Sequence, residues 1–171
     1  EVLRKACDKL GWKYVEQGDD FLVTHLNRGE ELYGEYALKL HDGQVTYNSY
    51  YLSNGGELVS ELQAVFFPLN VEYARDSVIS SFKANGFTFK KNYSFKPTDE
   101  IADMFSMVGF TQLPGEEEQR YEIGFKILND GTVITDSNYL PDDVNDRAHK
   151  SMDHLQELFG RERIMTKKPE Y

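Results

Sequence analysis

The chain is 171 residues long, 40 % hydrophobic and 28 % charged, which fits one domain or two very small ones and excludes wholesale disorder. Its 29 acids against 19 lysines and arginines give a net charge of −10. That excludes a uniformly basic nucleic-acid binder, though not a local basic patch. The single cysteine, Cys7, excludes an intramolecular disulfide and a cysteine-rich zinc site. It suits a reducing compartment: the cytoplasm, or an organelle's stroma or matrix. No apolar run approaches the roughly 18 residues of a membrane span, and no secretion leader is visible. The sequence begins at Glu1 instead of Met, so residues upstream are expected.

Val2, Leu3, Ala6, Cys7 and Leu10 recur at helical spacing, and Gly11 fits the helix end. Trp12–Val15 and Phe21–His25 predict two strands joined at Gly18, Asp19 and Asp20. Tyr33–Leu40 and Gln44–Leu52 flank His41-Asp42-Gly43, a strong hairpin signal. Leu58–Phe67 predicts a helix stopped by Pro68, and Val71–Asn85 a further one ended by Gly86. Phe87–Phe95 alternates as a strand does. Thr98 then offers an N-cap, with Asp99 and Glu100 in a first turn and Ile101, Met104, Phe105 and Val108 as an apolar stripe; the spacing predicts a helix up to Gly109. Arg120–Leu128 and Thr132–Leu140 flank a second hairpin signal, Asn129-Asp130-Gly131. Val144–Phe159 predicts the last helix, ended by Gly160, and 161–171 a frayed tail.

The two hairpins share the pattern D-G-x-V-x-x-x-S-x-Y-L, from Asp42 and from Asp130, at an offset of 88 residues. Convergence of two Asp-Gly hairpins and an internal duplication both account for it. The expected fold is α+β, an antiparallel sheet of Asp-Gly hairpins covered by helices. Its expected parts are a first α+β half at 1–96 and a helix-hairpin-helix half at 97–160, packed as one compact unit.

Glu1-Val2-Leu3-Arg4-Lys5-Ala6-Cys7-Asp8-Lys9-Leu10-Gly11-Trp12 resembles the opening helix of an uncharacterised family, the hypothetical chloroplast reading frame 35 type of plastids, cyanobacteria and other bacteria. Val71–Asn85 followed by Gly86-Phe87 is similar to that family's later helix-Gly-aromatic unit. Tyr121–Phe159 resembles a second small uncharacterised family, one hairpin followed by one helix. The resemblance implies a compact α+β protein and no particular reaction.

Chemistry-bearing motifs are sparse. There is no G-x-S-x-G, H-E-x-x-H, C-x-x-C or EF-hand loop. Cys7 sits on an apolar stripe, the place of an inert buried thiol. Asp142, Asp143, Asp146 and His149 gather near a helix start, where acids also simply complement the helix dipole. Asn54-Gly55-Gly56 precedes a helix, but Glu57 would repel phosphate there. Glu116-Glu117-Glu118 reads as a solvated charge run. No metal and no cofactor is expected, and the balance leans away from an enzyme.

Two segments suggest binding. Tyr33, Tyr36, Tyr47, Tyr50 and Tyr51 crowd the first hairpin, and Tyr139 sits in the second. Tyrosine presents a large rigid group at low entropic cost, so Tyr47, Tyr50, Tyr51 and Tyr139 are candidate protein-binding residues. The leading expectation is a non-enzymatic acidic protein-binding or accessory module, acting in a complex, whose partner carries a basic surface. The alternative is single-stranded nucleic-acid binding through 87–96. There Phe87, Phe89 and Tyr93 would stack bases while Lys90 and Lys91 meet phosphates. A half-buried strand gives the same alternation.

Overall fold

The computed structural model describes residues 1–26, 36–47, 54–111, 118–137 and 140–161. The chain divides into two units, one ending at Asn70 and one spanning Val71–Arg161, with the division inside a helix.

The first unit opens with α1 (Val2–Leu10), which buries Val2, Ala6 and Cys7. Gly11 ends it in the left-handed region at φ 73°. The Gly11 N–H donates to Asp8 O and the Trp12 N–H to Cys7 O, at 3.2 and 2.9 Å. These bonds satisfy carbonyls that the helix end would otherwise leave open. β1 (Lys13–Gln17), β2 (Asp20–His25), β3 (Leu38–His41) and β4 (Gln44–Tyr47) follow as an antiparallel meander in chain order. The register places Val23, Leu38, Phe21, Leu40 and Val45 on one face, and all five are buried. Tyr14 stacks on Phe21, ring centroids 4.9 Å apart. α2 (Gly55–Lys83) then begins, burying Leu58, Leu62, Phe66 and Asn70 at i, i+4 spacing.

α2 corrects the sequence reading. It is one helix of 29 residues, with Pro68 inside it. Proline removes one intrahelical bond, at about 3 kcal/mol, but the stripe of buried residues on either side holds the helix together across it.

The second unit holds the rest of α2, then β5 (Thr88–Lys91), β6 (Ile101–Phe110), β7 (Arg120–Leu128), β8 (Val133–Ser137) and α3 (Asp142–Arg161). The strands again form an antiparallel meander in chain order. Ala74, Val78 and Phe82 of α2 and Val144, Ala148 and Leu155 of α3 close over Phe105, Met107, Ile123, Phe125 and Ile127. At the centre Phe82 meets Phe125 edge-on at 5.1 Å, and Phe105 stacks on Phe125 at 5.5 Å. Phe87 lies between the Arg147 guanidinium, 5.5 Å from its ring, and Gly109. A β-carbon on Gly109 would sit 2.6 Å from Phe87 Cε1, so this strand glycine marks a close approach. Arg147 donates to the backbone oxygens of Asn85 and Phe110 and pairs with Asp143, thereby tying the end of α2, the end of β6 and α3 together.

Here the structure departs from the expected helix at 98–109: residues 101–110 are the strand β6. Thr98 does cap, accepting the N–H groups of Glu100 and Ile101, but the capped turn leads into a strand. β6 is a central strand, paired on both sides and partly buried on both faces, with a register shift between Ile101 and Asp103. Such a strand has no clean two-residue alternation, and its apolar positions mimic a helical stripe. The helix-hairpin-helix content expected of 97–160 is therefore strand-hairpin-helix. The expected strand 87–95 is shorter, four residues, and α3 continues past Gly160 to Arg161.

An α+β fold is what the chain forms, and its plan occurs twice. α1 leads into a four-stranded meander closed by α2; α2 leads into a second meander closed by α3. The helix-to-strand junctions match bond for bond. Gly86, φ 86°, donates to Lys83 O at 3.2 Å and Phe87 to Phe82 O at 3.0 Å, the spacing seen at Gly11 and Trp12. Trp12 and Phe87 are both buried. Both Asp-Gly pairs lie between the third and fourth strands of their sheets, and Val45 and Val133 both turn toward a core. The turns themselves differ. Asp42 and Gly43 both take positive φ, 52° and 79°, as a two-residue I′ hairpin requires. In the second hairpin Gly131 has positive φ and Asp130 does not, and Gly131 N–H donates to Leu128 O. That is the pattern of a type I turn followed by a left-handed glycine.

Candidate functional site

The strand β5, at the end of its sheet, and the turn after it form an accessible side-chain cluster within a segment the sequence singles out. Pairing with β6 on one side fixes the faces: Phe89 and Lys91 share the side of Met107 and Phe105, and Lys90 shares the opposite side with Ser106. All four β5 residues are exposed. Asn92 then ends the strand, its Oδ1 accepting the N–H and Oγ–H of Ser94 at 3.2 and 2.8 Å. That turn throws Tyr93 into solvent, where it is 88 % exposed. Lys91 Nζ stands 5.4 Å over the Tyr93 ring. Lys90 Nζ donates to Glu122 Oε1 at 2.7 Å, and Arg120 approaches the same oxygen at 3.6 Å. Lys90, Lys91, Tyr93, Ser94, Ser106 and Glu122 line a cleft of ≈ 450 Å³.

This geometry divides the aromatic set expected to stack bases. Phe87 is 2 % exposed and offers no face to a base. Phe89 is 39 % exposed, but its ring lies 5.6 Å from Phe105 on the core-facing side. Tyr93 alone of the three stands clear of the core. The alternation therefore records a half-buried edge more than a stacking platform. Lys90 and Lys91 remain exposed, as the nucleic-acid reading needs.

Of the tyrosines, Tyr47 pairs with Leu38 and so faces the core side of the first sheet. It is half-buried, and its ring lies against Gly55, where a β-carbon would come within 2.1 Å of Cδ2. Tyr47 thus packs the start of α2 and is not part of an open tyrosine face. Tyr50, Tyr51 and Tyr139, like Tyr33, Glu116 and Glu117, lie outside the described residues.

Cys7 is buried, and burial foremost, with the charge of Asp8 second, pushes its thiol up to about 12. A thiol held protonated is a poor nucleophile. Among the described residues no three His, Cys, Asp or Glu side chains are grouped to hold a metal ion. His149 is exposed on α3 beside Asp146 and Asp153. The outer surface of α3 carries Asp142, Asp146, Asp153 and Glu157, all exposed, with Lys150 among them. Sequence reading does not single out the Arg147 tie; Asp143, four residues before it on the same helix face, is its available signal. Among the described residues no helix is long and apolar enough to cross a membrane.

No protein-family profile, no curated protein and no solved structure matches the chain.

Proposed function

We propose that this chain is a non-enzymatic acidic protein-binding module, acting in a complex with a partner that presents a basic surface. The observation that supports it is the acidic outer surface of α3. Asp142 at the helix start is explained by the dipole. Asp153 and Glu157 lie in the second half of the helix, where the same dipole opposes anions, and they are exposed. From Asp142 to Glu157 the acids span roughly 22 Å at 1.5 Å per residue, enough for a docking face with directed charge. Tyr50 and Tyr51 belong to the proposal on sequence grounds, as a second, aromatic contact. The single buried Cys7 fits action in a reducing compartment, cytoplasm or organelle stroma. Kinship with the hypothetical chloroplast reading frame 35 type is likewise proposed, on Glu1–Trp12 and Val71–Phe87.

The test compares two baits, the tagged chain and its Asp142→Asn, Asp146→Asn, Asp153→Asn, Glu157→Gln variant, in extract from the source cells. A protein that survives nuclease, is weakened by salt and is lost with the variant supports the reading. Retention identical on both baits, or retention abolished by nuclease, counts against it.

A further inference from the structure

We propose that the free edge of β5 captures an extended acidic segment of another protein by strand addition. This deepens the protein-binding reading with a second surface and rests on that reading. Among the described residues β5 pairs with β6 alone, at the end of its sheet, and all four of its residues are exposed. In an antiparallel pair every second residue turns its N–H and C=O away from its partner, so a four-residue edge offers two such residues to an incoming strand.

The side chains select the occupant. Lys90 and Lys91 are neighbours on opposite faces of the strand. An added strand shares these faces, so two consecutive acids in the guest meet both lysines, one above and one below the sheet. Phe89, 39 % exposed, offers an apolar contact to the guest residue beside them. The guest is therefore an extended Glu/Asp pair flanked by β-branched or aromatic residues. A second copy of β5 does not fit. It would put four lysines in one short pairing, and lysine on an edge strand opposes self-association. Nucleic acid is the poorer guest, because Phe87 and Phe89 do not present ring faces to solvent on the side of Lys90.

Glu122 gives the proposal a distinctive test. It now holds Lys90 at 2.7 Å and so competes with the guest carboxylate. The probe is the blocked hexapeptide Thr-Val-Glu-Glu-Val-Thr, titrated into the isotopically labelled full chain and followed by amide chemical shifts. Expected are shifts at the Thr88–Lys91 amides. Affinity should fall about tenfold in the Lys90→Glu, Lys91→Glu variant and rise about two- to fivefold in Glu122→Gln. Methylating the two glutamate nitrogens of the peptide keeps its charge, removes the one donor of the pair that faces β5 in either register and puts a methyl group in its place, and should abolish the shifts. Four results overturn the proposal. They are no shifts in β5, equal binding of the methylated peptide, unchanged affinity in Glu122→Gln, and β5 shifts with a dT hexanucleotide but not with the peptide. Circular dichroism confirms that each variant is folded. Failure here leaves partner capture through α3 intact, and loss of that capture with the α3 variant leaves this titration unchanged, so the two readings fail separately.

Discussion

Replacing Arg147 by methionine should destabilise the second unit by about 3–4 kcal/mol. The guanidinium side chain is only 14 % exposed. It donates through Nη2 to Phe110 O and through Nη1 to Asn85 O at 3.4 Å, reaches Asp143 at 3.4 Å, and lies 5.5 Å from the Phe87 ring centroid. The contact to Phe110 O is the strong one, and a charged hydrogen bond contributes about 1.5–3 kcal/mol. The two bonds at 3.4 Å add little each. The ring contact, largely desolvated, adds about 1 kcal/mol. Two carbonyls left without their donor cost about a further 1 kcal/mol. Against these stands Arg147 Nε, which is buried with no hydrogen-bond partner among the described residues and burdens the native protein. Methionine keeps most of the packing volume, so no large cavity term enters. At about 2–4 °C per kcal/mol for a chain this size, the melting temperature should fall by about 6–16 °C. Urea unfolding followed by far-UV circular dichroism measures the free energy, with the slope checked for constancy. Arg147→Lys keeps the charge but not the planar fork, and should recover less than half of the loss. A loss below about 1 kcal/mol for methionine, or full recovery with lysine, would refute the reasoning that two carbonyls on different elements are held by one fork.

Gly109→Ala and Gly55→Ala should each destabilise by about 1–3 kcal/mol, because the added carbons would meet Phe87 and Tyr47 at 2.6 and 2.1 Å; at Gly109, adding Phe87→Leu in the same chain should restore part of the loss in melting experiments. Pro68→Ala should stabilise by up to about 3 kcal/mol, since the helix continues through that exposed position; an unchanged or lower melting temperature would show that the proline stabilises by another route. Cys7 should resist a thiol reagent in the native state at pH 8 and react fully in denaturant, since burial and Asp8 hold the thiol up to about 12; fast native labelling would contradict its placement.

Much of the fold could be read from the sequence because its signals are local. Gly11-Trp12 and Gly86-Phe87 mark two helix ends, where a left-handed residue and a buried aromatic are both required. Asp42-Gly43 and Asp130-Gly131 mark two hairpins, although the backbone around them differs. Val144, Ala148, Met152, Leu155 and Phe159 show the inward stripe of α3 directly. The failures arise where long-range pairing overrides local pattern. Ile101–Phe110 carries helical spacing and a working cap at Thr98, yet two neighbouring strands claim its backbone. Pro68 reads as a stop and is carried by the buried residues around it. The binding surfaces were less legible still. Phe87 and Phe89 alternate with lysines just as a stacking strand would, and only the packing of Phe87 on Gly109 and of Phe89 on Phe105 separates the two cases. Tyr47 reads as a surface tyrosine in the sequence, and only its register, opposite Leu38, places it on the core side.

Docking of a basic protein surface on α3 through charge is tested most directly by the affinity of the nuclease-resistant partner for the purified chain, measured at low and at moderate salt, with and without neutralisation of Asp142, Asp146, Asp153 and Glu157. The prediction is tight, salt-sensitive binding to the native chain and weak binding to the variant that salt hardly changes. Equal affinity for the two proteins at both salt concentrations would contradict it.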